Sequence, residues 1–290
     1  MELNIFKESF VGYGNYLLHE ITNPGWNNYF YILIAVSIGV YLLELCFPWR
    51  KDQGVFRKGF WLDLLYMFFN FFIFNWIVFI ALSTLFESYF FSFLTLFGID
   101  LDGLKLFDLN TLPTLSRLLL FFVLTDFVQW ITHRMLHRIP WLWNFHKVHH
   151  SVKEMGFAAH LRYHWMETVI YRTMLYIPLA IMGGFSVDDV ILVHVIALTI
   201  GHLNHANIHL NYGILKYIFN NPAMHIWHHA KALPQAHPNG VNFGISLSLW
   251  DYIFRTNYIP KSGRDIVLGF VGDESFPKSF VGQECYPLKK

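Results

Sequence analysis

The run from Tyr29 to Pro48 carries one charge, Glu44 near its end, and a stretch of that length and composition folds most readily as a helix crossing a bilayer. Phe60 to Leu85 repeats the pattern with Asp63 as its only charge. Leu115 to Thr132 gives a third span, with Arg117 near one end and Asp126 inside. Val169 to Phe185 and Val187 to Leu203 follow almost without a break. At about 1.5 Å per residue each reaches about 25 Å, short of a hydrocarbon core of about 30 Å, so they are expected as a shallow hairpin. Ser88 to Ile99 is apolar but shorter still and is expected to lie re-entrant or interfacial. Hydrophobic residues make up 54% of the chain and charged residues 14%, about half the usual charged share, as lipid-facing surfaces require. The expected fold is an all-α integral membrane protein with about four to six membrane-embedded helices.

Loop charges set the orientation. Arg50, Lys51, Arg57 and Lys58 place the first connection on the cytoplasmic side, and Glu87, Asp100, Asp102 and Asp108 against Lys105 place the next one outside. The third span then returns to the cytoplasm at His133, followed by Arg134, Arg138, Lys147 and Lys153. A net charge of +1 offers no basic face to phosphates, which argues against nucleic acid as a partner. Cys46 and Cys285 are too few and too far apart for a disulfide framework or a CxxC site. Met1-Glu2-Leu3-Asn4 lacks the basic start and apolar run of a cleavable signal peptide.

Of sixteen histidines, all but His19 and His237 fall between His133 and His229. They form His133-Arg-Met-Leu-His137, His146-Lys-Val-His149-His150, His205-Ala-Asn-Ile-His209 and His225-Ile-Trp-His228-His229. An i, i+4 pair puts two imidazoles on one helical face. In each HxxHH the first and second histidines are expected to share a face and the third to serve a neighbouring ion. The two pairs and two triplets supply the nitrogens of His133, His137, His146, His149, His150, His205, His209, His225, His228 and His229, enough for two ions. One such box arises often by chance; four at one membrane face are hard to explain as packed or solvated histidines. His164 stands between the boxes as a further ligand or as support for one. His160 and His202 are expected to support ligands, and His19, His194 and His237 to be structural. No cysteine box, HExxH or ExxH occurs, which argues against copper(I), Cys-type zinc, the common zinc-protease site and the soluble di-iron bundles. An all-imidazole dinuclear site suits iron, with zinc as another occupant, and spacing does not choose between them.

At these residues the chain resembles the fatty acid hydroxylase/sterol desaturase superfamily of integral-membrane di-iron enzymes, from about Asp126 to Tyr258. The likeness covers the histidine boxes, Arg162-Tyr-His164 with Glu167, His205-Ala-Asn207, Pro222-Ala-Met-His225, Asn242-Phe-Gly244 and Trp250-Asp251-Tyr-Ile-Phe254. It implies two irons, O2 as co-substrate, and hydroxylation or desaturation of a C–H bond in a lipid such as a sterol, fatty acyl or alkylglycerol lipid. It puts the metal site on the cytoplasmic face. The superfamily often closes its last motif with Phe-Gly-Thr, where this chain has Phe254-Arg255-Thr256, which bears on loop geometry. No His-Pro-Gly-Gly occurs, so a separate electron donor, cytochrome b5-like or ferredoxin-type, is expected.

On this basis residues 1–114 anchor the chain in the membrane, 115–260 form the catalytic domain, and 261–290 form an irregular tail. Asn207, Glu167 and Asp126 are candidates to hydrogen-bond ligand imidazoles. The lipid is expected to enter between Phe121–Trp130 and Val169–Phe185, with Pro178 kinking the latter helix. Trp130, Trp141, Trp143, Trp165 and Trp227 are expected in an interfacial belt. Two other classes remain: a membrane metal transporter or sensor, and a non-catalytic lipid-binding relative with a structural metal.

Overall fold

The computed structural model describes residues 2–25, 28–98, 107–183 and 186–289. Helix α1 (Glu2–Thr22) has no counterpart among the expected spans. Asn28 joins it to α2 (Tyr29–Cys46): its Oδ1 caps the amides of Phe30 and Tyr31, and its amide group donates to the carbonyls of Glu20 and Asn23. Helix α3 (Phe60–Phe68) continues through two π-helical stretches, Phe69–Ile73 and Asn75–Phe79, into α4 (Ile80–Leu96). There is no break at Ser88, so the short apolar segment expected to lie re-entrant is the last part of this helix, packed against α1. Ile99, Asp100 and Asp102 lie outside the described residues.

Beyond β1 (Phe107–Asp108), α5 (Thr114–Arg138) leads at once into α6 (Pro140–His150), whose proline occupies the first turn, where no amide proton is needed. Helix α7 (Trp165–Ile181) runs on through Pro178, whose side chain is outside the described set. β2 (Met182–Gly183) pairs in parallel with β1. Helix α8 (Val187–His205) starts on a capping box between Ser186 and Asp189. Short helices α9 (Pro222–His228), α10 (Leu249–Ile253) and α11 (Phe280–Cys285) complete the chain.

Among the described residues, three stretches are long and apolar enough to cross a membrane: Tyr29–Cys46, Phe60–Val78 and Thr114–Arg138. They are 22%, 28% and 22% buried, so most of their apolar surface faces outward and calls for an apolar solvent. The end of α2, the start of α3 and the end of α8 meet on one side. Glu44 there accepts from the amides of Phe157 and Asn207, and the buried Asp63 carboxylate pairs with Arg57 and, at 3.0 Å, with Arg162. At the opposite end Arg117 near the start of α5 pairs with Asp189 at 3.0 Å. The carboxyl ends of α5 and α8, which carry histidines, therefore point the same way.

Two of the five tryptophans expected in an interfacial belt are drawn into the interior. Trp130 and Trp227 are 2% and 6% exposed, because their indole NH groups are drawn inward to Asp251 and to the carbonyl of Lys261; Trp141 is well exposed. The tail also differs from a surface appendage. Phe280 packs its ring against Tyr66, Gln283 accepts from the Tyr66 hydroxyl, and Glu284 is buried. His164 takes the amide of Met166 on Nδ1, so its proton sits on Nε2 and goes to the Glu284 carbonyl at 2.9 Å. Both nitrogens of His164 are thus used in fixing the tail.

Burial pushes the Glu284 carboxyl up from 4.5 to about 8, against the smaller opposing pull of the Trp165 amide and the Tyr66 hydroxyl. The folded state keeps a proton that the unfolded chain loses, so this contribution to stability is complete below about pH 4.5 and disappears as pH rises through about 8. The unfolding midpoint in detergent is expected to fall by roughly 5 °C between pH 5 and pH 9 in the parent chain. In Glu284→Gln the same fall should be largely absent; an equal fall in both proteins would place the titration elsewhere.

Candidate metal centre

Helical geometry divides the histidines into two groups. His133, His137, His146, His150 and His228 each present one ring nitrogen, all within 4.8 Å of one another, and His149, His205, His225 and His229 do the same. Each HxxHH is split differently from the expected way. On α6, His146 and His150 share the first group while His149 goes to the second; on α9 and its cap, His225 and His229 share the second while His228 goes to the first. An i+4 residue is rotated by about 40° from i, and an i+3 residue by about 60° the other way. The i, i+4 pair therefore converges on one point and the middle histidine crosses to the other.

His209 lies outside both groups. Helix α8 ends at His205 and Ala206 is extended, ψ 146°, so no i, i+4 relation survives; His209 is exposed, 5.1 Å from the ring of Trp49.

The inward nitrogens are Nε2 atoms. His133 and His146 approach to 3.2 Å, His150 to 3.1 Å from both His137 and His228, His149 and His205 to 3.3 Å, and His225 to 3.0 and 3.2 Å from His205 and His229. Four rings have Nδ1 against backbone carbonyls: His133 on Phe243 and His228 on Val241 at 2.8 Å, His205 on Gly201 at 2.8 Å, and His149 on Arg162 at 3.1 Å. A carbonyl only accepts, so Nδ1 carries the proton. Burial holds the imidazoles of His149, His150, His225, His228 and His229 below their usual range, His149 at about 3, so these rings are neutral at pH 7. The Nε2 atoms of His149 and His205 therefore face each other as bare lone pairs, which repel unless a cation sits among them. Metal–nitrogen bonds of about 2.0–2.1 Å at angles of 90–110° put ligand nitrogens about 2.9–3.4 Å apart, the spacing found here. The nine histidines fit two divalent ions.

The supporting residues differ in part from expectation. The Glu167 carboxylate holds His146 Nδ1 at 2.8 Å. Asn207 reaches no ring; its side chain closes on the amide and carbonyl of Arg50. Asp126 accepts from the amides of Ser246 and Leu247 and the Trp250 indole, because its level on α5 faces that loop instead of an imidazole. His160 lies with its ring 5.2 Å from that of His205 and meets His202, which reaches Ser37. Asp251 went unassigned in the sequence. It takes the amides of Phe243 and Gly244, the Trp130 indole and the Thr256 hydroxyl, and so fixes the loop whose carbonyls orient His133 and His228. The Trp250-Asp251 motif was its only signal. Arg255 sits at φ +56°, a conformation that favours glycine, so the loop keeps the turn where the superfamily often has Phe-Gly-Thr.

A cavity of about 500 Å³ reaches both groups from one side, touching His133, His146, His149, His205 and His225. Its long wall is one face of α8, formed by Val190, Ile191, His194, Ala197, Leu198, Gly201, Asn204 and His205. Helix α7 adds Tyr171, Arg172 and Leu175. Helix α1 adds Tyr13, Tyr16 and Glu20. The expected wall from Phe121 to Trp130 is reduced to Gln129, because the rest of that face packs elsewhere, and Phe185 lies outside the described residues.

Residues 118–256, which contain all nine grouped histidines, match the fatty acid hydroxylase family. The ornithine lipid hydroxylase OlsE of Rhizobium tropici is 29% identical over 178 residues, 61% of this chain and 52% of that protein. The alkylglycerol monooxygenase of Homo sapiens is 31% identical over 137 residues, 47% of this chain and 29% of that protein; the one of Caenorhabditis elegans is 27% identical over 151 residues, 52% and 28%. The matched part of the chain thus spans about half the length of the first relative and less than a third of the others. No solved structure matches.

Glu167→Ala frees the outer edge of His146 without touching an inward nitrogen. Metal affinity, measured by chelator competition on purified protein, is expected to fall 10–100-fold, by the usual effect of losing such a support. Unchanged affinity would mean that packing alone orients the ring.

Proposed function

Since residues 118–256 belong to the fatty acid hydroxylase family, we propose that the chain is a membrane-embedded oxidoreductase that inserts oxygen from O2 into a C–H bond of a lipid. The observation that carries this reading is the pair of imidazole groups with bare nitrogens turned inward, both opening on one largely apolar cavity. His133, His137, His146, His150 and His228 would hold one iron and His149, His205, His225 and His229 the other, with zinc as a substitute in purified protein. Two such ions supply the activation of O2, with one oxygen atom entering the lipid and the other leaving as water at the cost of two electrons and two protons. The electrons come from a separate donor, cytochrome b5-like or ferredoxin-type.

The chain's own residues do the rest. Carbonyl contacts keep the rings in one tautomer, and the apolar lining at Leu161, Leu175, Leu198 and Ile245 excludes water and holds the hydrocarbon against the histidines. Residues 115–260 form the catalytic part, and the basic residues around Arg134 and Arg138 orient the centre toward the cytoplasm. The relatives named for ornithine lipid and alkylglycerol favour a polar lipid as substrate. A transporter would need ligands strung across the spans as a transit path, whereas both groups gather at one end.

Expression in a host with compatible lipids tests the proposal against a His228→Ala control. The parent chain is expected to yield a lipid heavier by one oxygen, or lighter by two hydrogens if it desaturates. In His228→Ala product should fall below about 1% with the protein still membrane-inserted. Product surviving in the variant would remove the histidine groups from the mechanism.

A further inference from the structure

The cavity is not uniformly apolar. It follows α8 from His205 to beyond His194, an advance of about 16 Å. At the His194 level its wall carries Tyr29, and the rings of Tyr29 and Phe71 lie 5.5 and 6.4 Å from His194; Asn70 and Asn75 line the same cavity. Asn70 and Asn75 are 1% and 4% exposed. Each spends its NH2 group on a backbone carbonyl, Tyr163 at 2.8 Å and Phe71 at 2.7 Å, which fixes the amide orientation and leaves Oδ1 as a buried acceptor. Both Oδ1 atoms and the Tyr29 hydroxyl lack a hydrogen-bond partner. Buried polar groups are rarely left so, and a hydrocarbon tail would not satisfy them.

The backbone gives a second, independent sign. Asn70 and Asn75 sit on the two π-helical stretches. In an α-helix residues five apart diverge by about 140°, whereas i to i+5 bonding stacks them on one face. The widened helix therefore brings both acceptors to one cavity wall, and such π turns recur at functional sites. Glu20 and Arg172 line the same end with opposite charges, so the site demands no net charge of its occupant.

We propose that Tyr29, Asn70 and Asn75 form a second subsite that accepts hydrogen bonds from a hydroxyl-bearing polar group of the lipid, with Tyr29 at the His194 level, about 16 Å along α8 from His205. Only the identity of the reacting end rests on the oxidation reading above. An extended chain advances about 1.2 Å per bond, so a polar group held at Tyr29 lies roughly 13 bonds from the carbon to be oxidised. The substrate is a lipid bearing a donor remote from its reaction site, in place of a plain alkyl chain.

The test uses the full chain, metal-loaded in detergent without reductant, and two probes that differ by one donor: hexadecanol and hexadecyl methyl ether. Hexadecanol is expected to bind about tenfold tighter to the parent protein. Tyr29→Phe, which removes a single oxygen, and Asn75→Leu should each reduce that preference, and the two together should erase most of it. Equal binding of the two probes by the parent, or a preference that survives both variants, overturns the subsite. Because binding is read without turnover, a retained preference with no oxidised product on adding reductant and O2 would sink the oxidation reading and leave the subsite standing.

Discussion

The structure depends on a proton held on the outer nitrogen of buried imidazoles. Where a backbone carbonyl faces Nδ1, as for His133, His149, His205 and His228, the ring can neither rotate nor change tautomer, and its lone pair points inward. Those carbonyls are in turn held by groups a layer farther out. Asp251 grips the 243–244 amides, Asp126 grips the 246–247 amides, and Asp63 grips Arg162, whose own carbonyl faces His149. Buried carboxylates in a lipid-facing protein are expensive unless fully used. Here they fix loops, and the loops fix nitrogens.

Sharing of helices couples the two histidine groups. Helices α6 and α9, with His229 as the cap of α9, each supply three histidines divided between the groups. Rotation of either helix would therefore disturb both groups at once, and their separation is set by side-chain geometry on rigid elements and not by loops. Gly240 makes room for one of these rings. At φ +99° its missing side chain leaves room for His137, whose Nδ1 would lie 2.9 Å from a Cβ there.

How much of this was legible in the sequence follows from the range of each interaction. Apolar runs and i, i+4 spacing are local, so the spans of α2, α3 and α5 and the grouping of His133 with His137 could be read directly. The split within each HxxHH was equally local, but it required weighing 40° against 60° on the helix wheel, not counting nearest neighbours. His209 depended on where α8 stops, and the extended backbone at Ala206 has no proline or glycine to announce it. Asn207 and Asp126 are bound to partners far along the chain, at Arg50 and in the 246–250 loop, which no spacing rule encodes. The tail was read as irregular because its apolar contacts, such as Phe280 on Tyr66, are long-range and its helix is short.

Helix α8 ties the cavity to the histidines most directly. It carries His205 at its end and the cavity's long wall along one face, so a group held at the His194 level and a carbon presented to His205 are separated by helical rise alone. Gly201 keeps that face open where it meets the site: a Cβ there would come within 2.2 Å of the His160 ring, which lies beside His205. The capping box at Ser186 and the ion pair between Asp189 and Arg117 anchor the other end of α8. With both ends fixed and the helix stiff between them, position along the bound chain is converted into position relative to the metal ligands. Selectivity for one carbon then needs no contact at that carbon, only a polar anchor at a set distance from it.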